Sequence, residues 1–179
     1  EPGGKAMAAC LVFDEQGREV ARYDKLHLFD VEVADNQRNY QESRDYGYGD
    51  QLVCIDTPVG RVGLSICYDL RFAELYLGLR RAGAELIVVP SAFTAVTGAA
   101  HWDVLLRARA VETQCYILAA NQGGLHPGGR ETFGHSCLID PWGALQAGMD
   151  TGEGAVVGTL DPEYLESVRG RMPVLQHRR

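Results

Sequence analysis

The sequence lacks the cysteine spacing of a metal site or of a disulfide framework. Its five cysteines are odd in number and widely separated, and no two of them form a Cys-x-x-Cys pair. It also lacks an apolar run of the ~18 residues that a membrane span needs, and its opening residues do not have the pattern of a signal peptide. These absences predict a cytoplasmic protein that has no metal centre and no membrane as a partner.

Positive charge is also scarce. The sequence has 17 Lys and Arg residues and 24 Asp and Glu residues, which gives a net charge of -7. Because proteins that bind nucleic acid through its phosphates need a basic surface, this balance argues against a nucleic-acid partner. The remaining composition, with 46% apolar and 23% charged residues, is ordinary for a globular protein. We therefore expect one domain, residues 1–179, without an internal repeat or a linker.

Apolar runs and turn residues predict an α/β fold with a mixed sheet. They indicate an early hairpin and a central β-α-β unit, in which the two strands run parallel. The predicted strands are Met7–Phe13, Glu19–Tyr23, Val62–Ile66, Leu86–Pro90, Cys115–Ala120, Ser136–Ile139, Ala144–Ala147 and Ala155–Leu160. The predicted helices are Arg71–Ala82, Trp102–Thr113 with an apolar stripe of Val104, Leu105, Ala108 and Val111, and one that begins at Asp161-Pro162. Residues 30–50 and 123–129 are predicted to be loops.

Cys67 differs from the other cysteines in its surroundings. It follows the predicted strand Val62–Ile66 and precedes a predicted helix, which is the position of the nucleophile in the strand–turn–helix elbow of esterases. Backbone N–H groups at such a turn can donate to an oxyanion, and a helix N-terminus favours a thiolate. Cysteines at strand ends are often inert, so the position alone leaves a reactive and an inert Cys67 equally open. The other cysteines are interpreted as small buried apolar residues: Cys10, Cys54, Cys115 and Cys137.

Lys25 is the second candidate for chemistry. Most lysines are solvated surface charges, and that interpretation stays open for Lys25. Its apolar neighbours Leu26, Leu28 and Phe29 indicate instead that it is drawn inward. A buried ammonium group there would lower the pKa of a nearby thiol and stabilise developing negative charge.

Two segments resemble signature blocks of the nitrilase, or carbon–nitrogen hydrolase, superfamily. They are Tyr-Asp-Lys-Leu-His-Leu-Phe at residues 23–29 and Ile-Cys-Tyr-Asp-Leu-Arg-Phe-Ala-Glu at residues 66–74. Further similar segments are residues 90–93, 97–102, 107–116, 134–136 and 140–143, so the likeness covers essentially the whole chain. Within the superfamily the sequence is most similar to the Nit branch. Residues 109–116 and 173–179 resemble the amidases of deaminated glutathione more than the ω-amidases.

This resemblance implies a nitrilase-like four-layer αββα sandwich and a Glu–Lys–Cys triad. Cys67 would attack an amide carbon and form a thioester, while Lys25 and the backbone N–H of Tyr68 would hold the oxyanion. Glu42, in the run Tyr-Gln-Glu-Ser, corresponds to a second glutamate of the family that orients the lysine or positions the substrate. Without the resemblance, a solvated loop carboxylate would be the stronger interpretation of Glu42.

Arg71 and Thr97 are the implied substrate contacts. Arg71 lies four residues after Cys67, one helical turn on, so both side chains can face one pocket. There its guanidinium would bind the carboxylate of a 2-oxo acid through two parallel hydrogen bonds. The alternative is an ion pair with Asp69 or Glu74 on the helix surface.

The family's general base has no counterpart in this sequence. In the family it is a glutamate on an early strand upstream of the lysine, whereas Glu15 and Glu19 belong to the predicted hairpin. The chain is therefore expected to lack the N-terminal third of the family fold. Three origins are open: a truncated record of a longer protein, a fragment completed by another chain, or a short inactive product. The first is the favoured explanation.

These observations predict an amidase that hydrolyses a carbon–nitrogen bond of a small 2-oxo acid derivative such as deaminated glutathione, through a cysteine thioester. One alternative is an ω-amidase that acts on 2-oxoglutaramate. Another, motivated by the missing glutamate, is a catalytically inactive fragment or interaction module. His27, His101 and His135 do not have the spacing of metal ligands, so neither a metal nor a cofactor is expected. The family likeness also implies a homodimer or a larger homo-oligomer.

Overall fold

A computed structural model describes residues 4–179 of the chain; residues 1–3, where part of the expectation about the start of the chain falls, lie outside it. Its strands are Ala6–Met7 (β1), Ala9–Phe13 (β2), Glu19–Asp24 (β3), Asp30–Glu32 (β4), Asn39–Gln41 (β5), Tyr46–Gly47 (β6), Cys54–Thr57 (β7), Gly60–Leu64 (β8), Leu86–Val88 (β9), Tyr116–Ala119 (β10), Gly123–Leu125 (β11), Glu131–Phe133 (β12), Cys137–Ile139 (β13) and Leu145–Gly148 (β14). Its α-helices are Ala73–Arg81 (α1), Ala95–Thr113 (α2), Pro162–Arg171 (α3) and Val174–His177 (α4), and 3₁₀ helices cover Glu42–Arg44 and Cys67–Arg71.

The centre of the fold is a six-stranded mixed sheet with the strand order β14-β13-β10-β9-β8-β7. Strands β8, β9 and β10 run parallel, as the predicted β-α-β unit requires, because α1 and α2 carry the chain back between them. The outer strands β7, β13 and β14 pair antiparallel to their neighbours. The ends of the three parallel strands therefore lie side by side, where loops can bring functional side chains together.

The two faces of this sheet are covered by different layers. Alternate strand residues point to opposite faces, so Ile87 and Ile117 join the helix side of the core while Leu86 and Tyr116 join the other side. On the helix side, α1 and α2 contribute buried residues that include Leu75, Tyr76, Leu79, Trp102 and Leu106. On the other side the hairpin β2–β3 and helix α3 close the core through Tyr23 and Leu165. These layers make a mixed α/β sandwich.

Several predicted elements are confirmed. Strands β2 and β3 form the early hairpin. Helix α1 buries Leu75, Tyr76 and Leu79 and ends at Arg81, two residues before Gly83, whose φ is +94°. Asp161 caps α3, because its side chain accepts hydrogen bonds from the backbone N–H groups of Glu163 and Tyr164. Pro162 occupies the first helical position, as predicted. Within residues 4–179 no helix combines the length and the apolar character that crossing a membrane requires.

Both predicted loops contain strands, so these predictions were wrong. Within residues 30–50, β4 and β5 pair antiparallel, with Val31 opposite the buried Tyr40. Within residues 123–129, β11 is a strand that pairs with β12. These short hairpins are rich in polar and glycine residues, which are typical of loops. Such residues fit a strand here because successive side chains point to opposite faces, so only every second one needs to face the core.

The prediction of a strand at Ala155–Leu160 was also wrong. The structure assigns no strand there, and Val157 is 82% exposed because no neighbouring strand pairs with this segment. Helix α2 starts at Ala95, earlier than predicted, because the side chain of Thr94 accepts a hydrogen bond from the backbone N–H of Thr97. Of its predicted apolar stripe, Leu105 packs against the core, whereas Val104, Ala108 and Val111 are exposed. Val104 and Val111 are 59% and 50% exposed, respectively.

Candidate active site

Cys67 lies at a sharp turn where β8 gives way to the 3₁₀ helix Cys67–Arg71. Its φ is +49°, a left-handed conformation that is uncommon for a residue other than glycine. The backbone holds this conformation partly because the Cys67 N–H donates to the carbonyl of Pro90 at 3.0 Å, beyond the end of β9. In the described part of the chain, the N–H of Tyr68 has no acceptor. The turn therefore presents a thiol next to a backbone donor without a partner.

Lys25 and Glu42 form a buried ion pair. Lys25 follows β3 and is only 3% exposed, and its Nζ lies 2.6 Å from Glu42 Oε2. The same carboxylate oxygen accepts the backbone N–H of Phe29 at 2.6 Å. Glu42 is therefore not a solvated loop carboxylate. It anchors the Lys25 ammonium group and the loop that carries Phe29.

The surroundings act in opposite directions on the Cys67 thiol. Burial raises the pKa of Cys67 above its ordinary value, and this effect outweighs the lowering of that pKa by the Lys25 ammonium group. The Glu42 carboxylate acts in the same direction as burial and raises the pKa of Cys67. The resting thiol is therefore protonated near neutral pH, and a nucleophilic attack by Cys67 needs a proton acceptor.

Asp69 connects the segment that carries Lys25 to the turn that carries Cys67. It is fully buried, and its Oδ1 accepts the backbone N–H of His27 at 3.1 Å and lies 2.7 Å from His27 Nδ1. Its Oδ2 accepts the Tyr23 hydroxyl at 2.7 Å and the backbone N–H of Ile66 at 2.9 Å. One carboxylate thus fixes the two catalytic candidates relative to each other.

Sequence reasoning missed this role of Asp69. It considered the residue only as an ion-pair partner of Arg71 on the helix surface, and no such ion pair exists in the described residues. The usable signal was the position of Asp69, three residues after Ile66, which is where an acidic side chain caps the start of a helix.

A cavity of about 1210 Å³ opens beside these residues. The expected site residues that line it are Lys25, Glu42, Cys67, Tyr68 and Thr97. Thr97 lies in the first turn of α2, where its hydroxyl is 2.8 Å from that of Thr94. The structure therefore brings the lysine, the glutamate, the cysteine and the backbone donor to one cavity.

Arg71 is placed differently from the other expected site residues. It is absent from the cavity wall, and its guanidinium lies 5.7 Å and 5.4 Å from the ring centres of Tyr68 and Phe93, which do line the cavity. Its Nη1 is 3.2 Å from Nδ1 of His101. The described residues contain no ion pair between Arg71 and either Asp69 or Glu74. Arg71 thus lies behind the aromatic wall of the cavity.

The profile of the carbon-nitrogen hydrolase family matches residues 1–170. The chain belongs to the carbon-nitrogen hydrolase family. The family and the mixed α/β nitrilase fold expected from the motifs are thereby confirmed, and the architecture of solved family members agrees.

The relatives lie in the Nit branch. The chain is 50% identical over 169 residues to a deaminated glutathione amidase of Yersinia enterocolitica, covering 94% of this chain and 59% of that one. The crystal structure of the Caenorhabditis elegans NitFhit protein superposes with a TM-score of 0.92 at 45% identity, covering 98% of this chain and 43% of that one. Saccharomyces cerevisiae Nit3, of branch 10 of the nitrilase superfamily, gives a TM-score of 0.86 at 35% identity, covering 98% and 60% of the two chains. The chain thus spans about half of the length of the relatives it matches.

The spacing of the histidine, cysteine and carboxylate side chains decides whether the described residues could hold a metal ion. Among residues 4–179 there is no group of three or more His, Cys, Asp or Glu side chains that could hold a metal ion. The histidines of the family motifs have other contacts instead. His27 stacks on Phe72 with a distance of 3.7 Å between ring centres, and His135 stacks on Phe133 at 3.9 Å.

Proposed function

We propose that the protein is an amidase that hydrolyses the amide bond of a small 2-oxo acid derivative such as deaminated glutathione. The observation that carries this proposal is that the Lys25–Glu42 ion pair and Cys67, at its turn, line the same cavity. Support for the substrate class comes from relatives that are 50% and 47% identical to this chain and bear the name deaminated glutathione amidase. The inactive alternative is disfavoured, since a purely structural module has no need to bury an ammonium group beside a thiol.

In this proposal the Cys67 Sγ attacks the amide carbon as its proton leaves for a base. The oxyanion of the tetrahedral intermediate accepts hydrogen bonds from the Tyr68 N–H and from the Lys25 ammonium group. The C–N bond then breaks, the amine departs with a proton, and a Cys67 thioester remains. Water adds to the thioester, the C–S bond breaks, the carboxylic acid leaves, and the thiol regains its proton.

Glu42 holds Lys25 in place rather than taking the thiol proton. Its Oε2 is already bonded to Lys25 Nζ and to the Phe29 N–H, at 2.6 Å each. The general base of the proposed Glu–Lys–Cys triad is therefore a further glutamate, which the family resemblance places upstream of Lys25. General-base removal from a site of this kind typically costs about 10²–10⁴-fold in rate.

Arg71 and Thr97 complete the proposal as substrate contacts. Thr97 lines the cavity. The Arg71 guanidinium lies 5.4 Å from the ring centre of Phe93 in the cavity wall, and in this proposal it changes its side-chain rotamer to bind the 2-oxo acid end of a substrate. The bidentate geometry of a guanidinium suits a carboxylate.

The proposal extends to assembly and compartment. Exposed apolar side chains on α2, among them Val104 and Val111, together with Trp142 at 54% exposure, favour a homodimer or a larger homo-oligomer. The five cysteines are all free, and a thiol nucleophile stays reduced in the cytoplasm. Light scattering at low protein concentration tests the assembly, and a monomer would contradict it.

The direct test uses the full-length protein with two substrates that release the same product. Deaminated glutathione and 2-oxoglutaramate both give 2-oxoglutarate on hydrolysis, so one assay compares their kcat/KM values. We expect the higher value for deaminated glutathione. A higher value for 2-oxoglutaramate would make the protein an ω-amidase, and turnover of neither would contradict the proposed function.

A further inference from the structure

Arg130 is a cation of the cavity wall that the chemistry described above does not use. It lies just before β12, at the foot of the hairpin that β11 and β12 form. Its Nη2 donates to the carbonyl of Ala92 at 2.6 Å, and its guanidinium lies 5.9 Å from the ring centre of Tyr40. Its Nε is buried and has no hydrogen-bond partner among the described residues. Leaving such a donor unpaired is costly, so the protein itself satisfies only part of the hydrogen-bonding capacity of this guanidinium.

The other cations on the cavity wall already have carboxylate partners. Lys25 is paired with Glu42, and the exposed Arg44 has its Nη2 3.0 Å from Asp45 Oδ2. Arg130 differs from both, because no carboxylate of the described residues lies within ion-pair distance of it. A guanidinium with free donors matches the two oxygens of a carboxylate. Among the described cations that line the cavity, Arg130 is therefore the one that remains available to pair with a bound anion.

The position of Arg130 is fixed before any ligand binds. In the turn ahead of it, the His126 N–H donates to the Arg130 carbonyl at 2.8 Å, and the Gly129 N–H donates to the His126 carbonyl at 3.1 Å. His126 Nε2 lies 2.6 Å from the hydroxyl of the buried Thr132, which joins the turn to β12. A positioned guanidinium loses little freedom when it binds, so its contact contributes more to affinity.

The charge of Arg130 also reaches the nucleophile. The guanidinium lowers the pKa of Cys67, although less than Lys25 does. Arg130 and Cys67 therefore share the electrostatic environment of one cavity. A ligand whose amide carbon is at Cys67 can place another group at Arg130.

We propose that Arg130 binds a carboxylate of the substrate, so that the site selects amides that carry a carboxylate over neutral amides. This inference rests on the proposed function, because it names the class of amide that the same cavity accepts. It assigns to Arg130 the selection of the ligand and not the bond-breaking steps.

The test compares two ligands that differ only in charge. Glutaramate carries an amide and a carboxylate, and glutaramide carries two amides in a chain of the same length. Each is titrated against the full-length protein while mass spectrometry follows the alkylation of Cys67 by iodoacetamide. The wild-type protein should be half-protected at a lower concentration of glutaramate than of glutaramide.

Arg130→Gln should reduce this preference about tenfold, the effect expected when one charge-assisted hydrogen-bonded contact is lost. Arg130→Lys should keep part of it, because the charge remains while the fork of donors is lost. Arg61→Gln is the matched control: it removes one positive charge from an arginine outside the cavity that pairs with Asp56, and it should keep the wild-type preference. Equal protection by the two ligands in the wild type, or an unchanged preference in Arg130→Gln, would overturn the inference.

If Arg130→Gln fails to fold, the glutaramate preference of Arg130→Lys is compared with that of the wild type instead. An unchanged preference in Arg130→Lys would then count against the inference. With deaminated glutathione as substrate, Arg130→Gln should raise KM about tenfold and leave kcat within about threefold, the split expected when an interaction common to ground and transition states is lost. The protection assay needs no turnover. Failure of the wild type to hydrolyse deaminated glutathione would therefore contradict the proposed function alone. A glutaramate preference that is present in the wild type and lost in Arg130→Gln would still support the assignment of Arg130.

Discussion

The floor and the rim of the cavity are built in different ways. The floor consists of Lys25, Glu42 and Cys67, with the buried Asp69 directly behind it. Short hydrogen bonds within the protein hold the side chains of Lys25, Glu42 and Asp69. The rim is formed by the turn before β12, with Arg130, and by the Arg44–Asp45 pair at the surface. Side chains there are more exposed, and the Arg130 Nε has no protein partner in the described residues.

This difference separates two tasks. A bond-breaking step needs groups held within a fraction of an ångström, which the floor achieves with buried partners that leave little freedom. Ligand selection needs a group that still has hydrogen bonds to offer, which the rim provides. Changes in the floor should therefore affect kcat and folding, whereas changes in the rim should affect KM and ligand preference.

The largest expected effect comes from removing Cys67, the proposed nucleophile. Cys67→Ala should lower turnover of deaminated glutathione by about 10⁴–10⁶-fold, because no other group can form the thioester. Its thermal unfolding should stay close to wild type, since the side chain is small and only partly buried. Cys54→Ala removes another half-buried thiol, on β7, and should keep wild-type turnover. Comparable turnover in Cys67→Ala and wild type would break the assignment of the floor to chemistry.

The sequence allowed the floor to be predicted well and the rim poorly. The expectation that Lys25 is drawn inward agrees with its burial, and of its apolar neighbours Leu28 is buried and Leu26 packs against the core. The turn at Cys67 could be anticipated because a buried strand must end before a helix begins. These features depend on residues close together in the chain.

Rim features depend on contacts between distant segments. Arg130 reaches the cavity only because β11 and β12 pair and the turn folds towards Ala92, which is 38 residues away in sequence. Glycines around it favoured a loop, and a short glycine-rich strand has no apolar alternation to reveal it. Asp69, behind the floor, shows the same limit, because its partners Tyr23 on β3 and His27 just after β3 lie more than 40 residues earlier in the chain.

A smaller effect is expected from the carboxylate that joins the two halves of the floor. Asp69→Asn keeps the size of the side chain but replaces one acceptor oxygen by an NH₂ donor, which cannot serve all four contacts of Asp69. We expect a loss of about 2–4 kcal/mol in the free energy of unfolding, measured by denaturant titration, because the site is fully buried. Displacement of Lys25 relative to Cys67 should also lower kcat about 10–100-fold.

The control for Asp69 is Asp103→Asn on the surface of α2. Asp103 is 70% exposed and pairs with Arg107 four residues on, an arrangement that contributes little to stability. Its unfolding curve and kcat should match those of the wild type. If Asp69→Asn changed stability but left kcat and KM untouched, Asp69 would be a folding residue only and not a positioning residue of the site.

The smallest expected effect is on the reactivity of the Cys67 thiol, and its sign depends on which partner of the ion pair is altered. Burial raises the pKa of Cys67, so the thiolate fraction at neutral pH is small and iodoacetamide alkylation should accelerate as pH rises towards that pKa. The Lys25 charge lowers this pKa and the Glu42 charge raises it. Lys25→Met should therefore slow alkylation at pH 7 by about tenfold, while Glu42→Gln should accelerate it about twofold.

Glu42→Gln keeps an oxygen that can accept from Lys25 Nζ and from the Phe29 N–H, so the ammonium group should stay in place while the negative charge disappears. Cys137 serves as the internal reference in each digest, because burial raises its pKa to about 12 and neither Lys25 nor Glu42 contributes to that shift. The rate at Cys137 should therefore be the same in all variants. Changes of the same sign at Cys67 in Lys25→Met and Glu42→Gln would mean that the ion pair controls access to the thiol and not the charge of the thiol.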